Sequence, residues 1–222
     1  SQAMTFPGLA DRLARVREEV GRPVRIVAVT KGHGPDAVRA AQAAGLTDVG
    51  ENRVQEATAK QDATADVPVS WHLIGHLQTN KAKMVPGRFA MVHSVDSTKV
   101  VDALAAACAK AGSTLNVLLQ VNVAGEEQKS GCDPAEASDL LGHVAGTRHL
   151  AVVGLMTMAP FTDDATVQRG TFAALRTLRD RIATAALPLP ELSMGMSGDW
   201  QAAAAEGATI LRLGTILFGE RV

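Results

Sequence analysis

The stretch Val24-Arg25-Ile26-Val27-Ala28-Val29-Thr30-Lys31-Gly32-His33-Gly34-Pro35-Asp36-Ala37-Val38 decides the fold. Residues 24–30 are apolar and β-branched enough for a parallel strand buried on both faces. A helix signal follows at once: Pro35 in a first-turn position, then Ala37, Val38, Ala41 and Ala44, with Gly45 as the stop. Lys31 therefore stands at the carboxyl end of a core strand, where α/β proteins bind ligands. An ammonium held among apolar strand ends is pushed toward the neutral, nucleophilic amine by desolvation. The plainer alternative is a lysine that leaves the core for water.

Working outward, the same alternation repeats. A helix with Phe6, Leu9, Leu13, Val16 and Val20 on one stripe precedes the first strand and stops at Gly21. Further strands are expected at 47–50, 70–74, 90–93, 115–123, 150–156, 192–193 and 209–213. Ser97 caps a helix carrying Val100, Val101, Leu104 and Cys108 to Gly112. Asp163-Asp164 open another that carries Phe172, Leu175, Leu178 and Ile182. This pattern predicts an α/β fold of the (β/α)8 TIM barrel type with an extra N-terminal helix, in one domain over 4–222. A doubly wound open sheet is the competing architecture. Ser1-Gln2-Ala3 ahead of Met4 reads as an expression scar.

Composition narrows the function classes. The chain is 222 residues long, 46% hydrophobic and 20% charged, enough to bury a core and stay in solution. A net charge of −1 offers nothing to nucleic acid or an anionic membrane, and no apolar run or leader suggests a membrane or secretory destination. Cys108 and Cys132 have no metal or redox spacing, which fits a reducing, cytoplasmic setting. The chain has no tyrosine, so no tyrosine acid or base can come from it.

Several motifs compete. Gly32-His33-Gly34-Pro35-Asp36-Ala37 matches G-x-G-x-x-A, with Glu51 about 20 residues on as a ribose acid, but Lys31 and Pro35 are odd company for a dinucleotide turn. Ser193-Met194-Gly195-Met196-Ser197-Gly198 makes a better phosphate site. It follows strand seven and precedes a helix that Ser197 is expected to cap, and its glycines let backbone N–H groups approach an anion. Arg212-Leu213-Gly214-Thr215 ends strand eight in the same style, and the loops after strands seven and eight are where barrels hold phosphate. His72 and His76 fit no metal-ligand pattern, no metal site is expected, and Gly195-Met196-Ser197-Gly198-Asp199 misses the nucleophile elbow at its last residue. Lys81 and Lys83 read as a solvated helix face.

A strand-end lysine paired with a phosphate cradle points to pyridoxal 5′-phosphate (PLP). Its aldehyde would form a Schiff base with Lys31, its phosphate would lie in the seven–eight loops, and Arg212 would face the ring. A barrel enzyme for a phosphorylated metabolite, without PLP, is a further alternative.

Longer stretches carry a family resemblance. They are Ala28-Val29-Thr30-Lys31, Gly50-Glu51-Asn52-Arg53-Val54-Gln55-Glu56, Trp71-His72-Leu73-Ile74-Gly75-His76-Leu77-Gln78-Thr79-Asn80-Lys81, Gln120-Val121-Asn122-Val123, Lys129-Ser130-Gly131 and Gly154-Leu155-Met156. Leu192 to Asp199 and Arg212 to Gly219 complete them. Together they resemble the YggS/PROSC-type pyridoxal phosphate homeostasis proteins, which have the fold of the alanine racemase N-terminal domain. The resemblance implies that Lys31 is the PLP lysine and that Ser197, Gly198, Gly214 and Thr215 hold the phosphate. It implies that Asn52, His72, Met156 and Ser193 line the cofactor pocket and that Arg212 approaches the pyridine nitrogen. It implies PLP buffering or delivery, without firmly established turnover. One departure is Gly32-His33-Gly34, where relatives often carry a threonine-lysine-proline-like stretch.

The residues agree with a carrier. PLP withdraws electrons most strongly when its pyridine nitrogen is protonated, and an arginine there disfavours that proton. A racemase-like amino-acid enzyme is the main alternative, but racemases resembling this barrel take a tyrosine base from a second domain across a dimer. The expected partners are PLP and PLP-requiring apo-enzymes, with no nucleic acid or membrane, and the expected state is a monomer. Lys129, after strand five, is a candidate second PLP contact.

Overall fold

The computed structural model describes residues 5–127 and 130–220; Lys129 lies outside them. Eight parallel strands close into a barrel in sequence order, β1 pairing with β8, so the open-sheet alternative is excluded. The strands are β1 (Arg25–Val29), β2 (Asp48–Glu51), β3 (Ser70–Leu73), β4 (Met91–Val95), β5 (Leu115–Gln120), β6 (Leu150–Met156), β7 (Glu191–Ser193) and β8 (Ile210–Leu213). The helices are α1 (Leu9–Val20), α2 (Pro35–Ala43), α3 (Val54–Ala63), α4 (Thr98–Ala111), α5 (Ala137–Ala145), α6 (Ala165–Ile182), α7 (Trp200–Ala205) and α8 (Thr215–Phe218). A 3₁₀ turn at Thr79–Met84 carries Lys81 and Lys83.

The local signals act where the residues place them. Ser97 accepts the Val100 N–H at 3.3 Å to start α4, and Asp164 accepts those of Thr166 and Val167 at 2.9 and 3.4 Å to start α6. Gly21 and Gly112 end α1 and α4 in left-handed conformations. Strand five is shorter than its apolar run, because Val121 leaves β5 to bridge Cys132.

Two hydrophobic layers result. Outward-facing strand residues such as Ile26, Ala28, Val49 and Leu211 pack against the helices, with Ala37, Val38 and Ala41 of α2 fully buried. Each fully buried aliphatic side chain of Val or Leu size stabilises by about 1.5–3 kcal/mol. Inside the barrel a small apolar cluster of Val27, Met91, Leu118, Met156 and Ile210 fills the lumen. A Cβ on Gly50 would lie 2.7 Å from Val27 Cγ1, so glycine is what lets β2 approach β1 there. The lumen is not wholly apolar: His72, His93, Ser193 and Arg212 are buried within the same barrel.

Candidate functional site

A cavity of about 940 Å³ opens at the carboxyl ends of the strands. Its wall includes Lys31 after β1, Met158 to Asp163 after β6, Met196 to Asp199 after β7, and Arg212, Gly214 and Thr215 at the end of β8. The strand-end lysine and both glycine-bearing loops expected from sequence thus face one space. Asn52, His72, Met156 and Ser193 are not among its wall residues. His72, Met156 and Ser193 are fully buried in the barrel, and Asn52 is half-buried just past β2.

The backbone ahead of Lys31 is held firmly. The Thr30 hydroxyl donates to Glu51 Oε2, while Lys60 Nζ donates to the Thr30 carbonyl at 2.7 Å and to Glu51 Oε2 at 2.8 Å. Glu51 is wholly buried in this cluster, engaged with a lysine and a threonine, which removes the ribose role expected of it in a dinucleotide site. Lys31 itself is half-buried and reaches the cavity. His33, two residues on, lines the cavity too, and its ring meets those of Phe6 and Phe218 at 5.6 and 5.5 Å between centroids. Phe6 therefore belongs to this cluster and not to the stripe of α1, which begins at Leu9.

The two loops form one unit. Ser197 Oγ accepts the N–H groups of Gly214 at 3.3 Å and Ile216 at 3.1 Å. This corrects the sequence expectation that Ser197 caps the helix following its own loop. That helix, α7, starts later, with Asp199 in the cap position, and Ser197 instead satisfies first-turn donors of α8 on the neighbouring strand. Asp199 Oδ1 accepts the Met196 N–H at 2.7 Å and closes the turn. Gly195 is required here: its φ is +105°, and a Cβ would lie 2.6 Å from Ala203. A Cβ on Gly198 would meet nothing within 4 Å, so that position borders open space.

Arg212 links this rim to the lumen. Its Nη1 donates to Ser193 Oγ at 2.6 Å and its Nη2 to the Thr157 carbonyl at 3.0 Å. Burial lowers its pKa to about 10, against a smaller upward pull from Asp199, so it stays cationic at neutral pH. Burial also raises the Asp199 carboxyl above its usual range, opposed by the Met196 N–H and Arg212. Below Ser193 the polar contacts continue: Ser193 Oγ to His93 Nδ1 at 2.8 Å, His93 Nε2 to His72 Nδ1 at 2.9 Å, and His72 Nε2 to Asp48 Oδ1 at 2.8 Å. Sequence reading missed His93 and Asp48. The available signal was parity: His93 is two residues after Met91 and Arg212 two after Ile210, so each shares the lumen face of its strand.

Among the described residues no helix is long and apolar enough to cross a membrane. Residues 7–222 match the family model of the alanine racemase N-terminal domain. The chain is 39% identical over 215 residues to the pyridoxal phosphate homeostasis protein of Aquifex aeolicus, covering 95% of this chain and 94% of that one. It is 43% identical over 216 residues to the protein of the same name from Pseudomonas aeruginosa, covering 96% and 93%. The solved structure of PipY from Synechococcus elongatus with PLP bound matches with a TM-score of 0.87 at 40% identity, covering 95% of this chain and 100% of PipY. The structure of PipY without PLP matches with a TM-score of 0.90 at 41% identity over the same shares.

Proposed function

We propose that this chain, which belongs to the family of the alanine racemase N-terminal domain, binds PLP at Lys31 and serves PLP homeostasis. The observation that carries the reading is that Lys31, Ser197, Gly198, Arg212, Gly214 and Thr215 share one cavity. That donor set fits the cofactor: an amine for an aldehyde, hydroxyls and turn N–H groups for a phosphate, and a guanidinium for a ring nitrogen. The 40% identical PipY, solved with PLP bound, supports the same choice of ligand.

The Lys31 amine would take the PLP aldehyde as a Schiff base, one water being released. Ser197, Gly198, Gly214 and Thr215 would hold the phosphate. Arg212 would face the pyridine nitrogen. Ser193, His72 and Met156 support the ring's surroundings from the lumen, and Asn52 from the end of β2.

PLP supplies an electron sink whose strength rises with protonation of its ring nitrogen. Arg212 keeps its own proton, so a hydrogen bond from it to that nitrogen would leave the sink weak. No tyrosine is present to act as a racemase base. This favours a carrier that buffers PLP or passes it to apo-enzymes, without turnover, and a cytoplasmic monomer is the form proposed for it.

The test is an absorbance spectrum before and after borohydride, followed by peptide mapping, since reduction fixes a Schiff base on its lysine. The expected label is on Lys31, and Lys31→Ala loses the absorbance band. An unchanged spectrum in Lys31→Ala, or a label on Lys60, overturns the assignment. Sustained turnover of any amino acid in a panel assay overturns the carrier reading in favour of a racemase-like enzyme.

A further inference from the structure

Five side chains from five strands form an unbroken file through the lumen. Arg212 of β8, Ser193 of β7, His93 of β4 and His72 of β3 are all buried, and Asp48 opens β2 at the amino-terminal mouth with 18% of its side chain exposed. Successive polar atoms are 2.6, 2.8, 2.9 and 2.8 Å apart. We infer that Asp48, His72 and His93 are positioning residues for Arg212, and that the Asp48 carboxylate sets the direction of every hydrogen bond between them. This rests on the reading of Arg212 as the partner of the cofactor ring.

The direction follows from which groups can donate. A guanidinium only donates, so Ser193 Oγ accepts from Arg212. An ionised carboxylate only accepts, so His72 Nε2 carries a proton toward Asp48. Burial opposes ionisation of Asp48, but the hydrogen bond from His72 and the charge of Arg25 hold its carboxyl below the ordinary value. Burial, with the nearby charges of Arg212 and Arg25, pushes His93 well below the usual histidine range and keeps its ring neutral. At a pH above the ordinary histidine range, a His72 ring that carries its proton on Nε2 presents Nδ1 as an acceptor. His93 then carries its proton on Nε2, and its Nδ1 accepts from the Ser193 hydroxyl.

One arrangement satisfies every atom: Arg212 to Ser193, Ser193 to His93, His93 to His72, His72 to Asp48. Each proton points away from the cofactor cavity. Reversing the file places two donors, Arg212 and His93, on one serine oxygen and deprives the serine proton of its ring acceptor. Asp48 thus acts on Arg212 through three intervening side chains, as the buried carboxylate of a catalytic triad fixes a histidine tautomer. A neutral amide in its place can face His72 with either its oxygen or its nitrogen, so the direction is no longer imposed.

The direction is read by long-range ¹H–¹⁵N correlation spectra of the histidine rings, without PLP, at about pH 8, above the ordinary histidine range. The chain has six histidines, and variants at His72 and His93 assign their signals. The expected result is an Nε2–H tautomer on both rings, and an Nδ1–H tautomer on His93 overturns the inference. This spectrum needs no PLP, so it is decided separately from whether Lys31 takes the cofactor. In Asp48→Asn the tautomers are expected to become mixed. Its Kd for PLP by equilibrium dialysis rises about tenfold, a size typical of losing an outer-shell partner, and the bound absorbance maximum shifts. Unchanged tautomers together with an unchanged absorbance maximum in a folded Asp48→Asn overturn the proposal.

Discussion

The polar file in the lumen beneath the cavity, here its floor, and the rim above it handle polarity by opposite means. The floor is made of side chains from β2, β3, β4, β7 and β8, each bonded to the next inside a closed lumen. The rim after β7 and β8 is made of short turns, three glycines and a serine that ties one loop to the other. A floor built this way has no slack, because each group satisfies its neighbour and water cannot replace a lost partner. A rim built from turns can lose one contact and let solvent fill in. The comparison predicts that floor substitutions damage stability and binding together, whereas rim substitutions damage binding more.

The hardest break is Arg212→Met. It leaves Ser193 and the Thr157 carbonyl without their donor and Asp199 without its nearby cation. The expected loss is about 3 kcal/mol in urea unfolding, in the range for breaking a buried charged contact. PLP retention should fall with it. A loss below about 1 kcal/mol would mean that the lumen relaxes as easily as the rim.

The next concerns pH. His93 stays neutral when folded but takes a proton at about pH 6.5 when unfolded. Below that pH the unfolded state holds the extra proton, so stability falls as pH falls, by about 1.4 kcal/mol per unit for one proton. The cost grows as pH falls until the folded ring itself takes the proton. Asp48, whose folded carboxyl lies below its ordinary value, adds to the loss only below about pH 4. Urea midpoints of wild type and His93→Gln across this range check it: the slope should flatten in the variant, and parallel slopes would discard His93 as its source.

The smallest stability effect is expected at the rim. Ser197→Ala removes an acceptor shared by the Gly214 and Ile216 N–H groups and should cost about 1 kcal/mol, the size of a lost helix cap. Its PLP affinity should nevertheless drop by about a hundredfold, roughly 3 kcal/mol, at the upper end for a lost charge-assisted hydrogen bond to phosphate. Equilibrium dialysis beside thermal unfolding separates the two. Equal losses in both would erase the contrast between floor and rim.

The alternation of apolar strand and amphipathic helix was legible because each element writes its own period, and Ser97, Asp164, Gly21 and Gly112 act on residues within a few positions of themselves. Lys31 and the two glycine-bearing loops were legible for the same reason: strand end and turn are local facts. Ser197 was read as a local cap and turned out to serve the next strand's helix, because its acceptor oxygen finds donors that are distant in sequence. His93 and Asp48 stayed hidden because their meaning depends on barrel closure. Only the pairing of Gly50 with His72 and of His72 with Met91 brings Asp48, His72 and His93 into one file. Glu51 looked like a ligand residue by spacing, yet its partner Lys60 lies on α3, beyond any motif window.

The rings of Phe6, His33 and Phe218 join the two ends of the described chain to the loop that follows Lys31. Arg12 of α1 strengthens that closure by donating to the carbonyls of Ile216 and Leu217 at 2.9 and 2.5 Å. During synthesis the lysine leaves the ribosome well before α8, which carries Phe218 and the carbonyls that Arg12 holds. Chains made N-terminal end first fold as their units are completed. Lys31 and α8 are nearly the length of the barrel apart in sequence, so a nascent chain carries Lys31 long before it carries the ring of Phe218 that steadies the following loop.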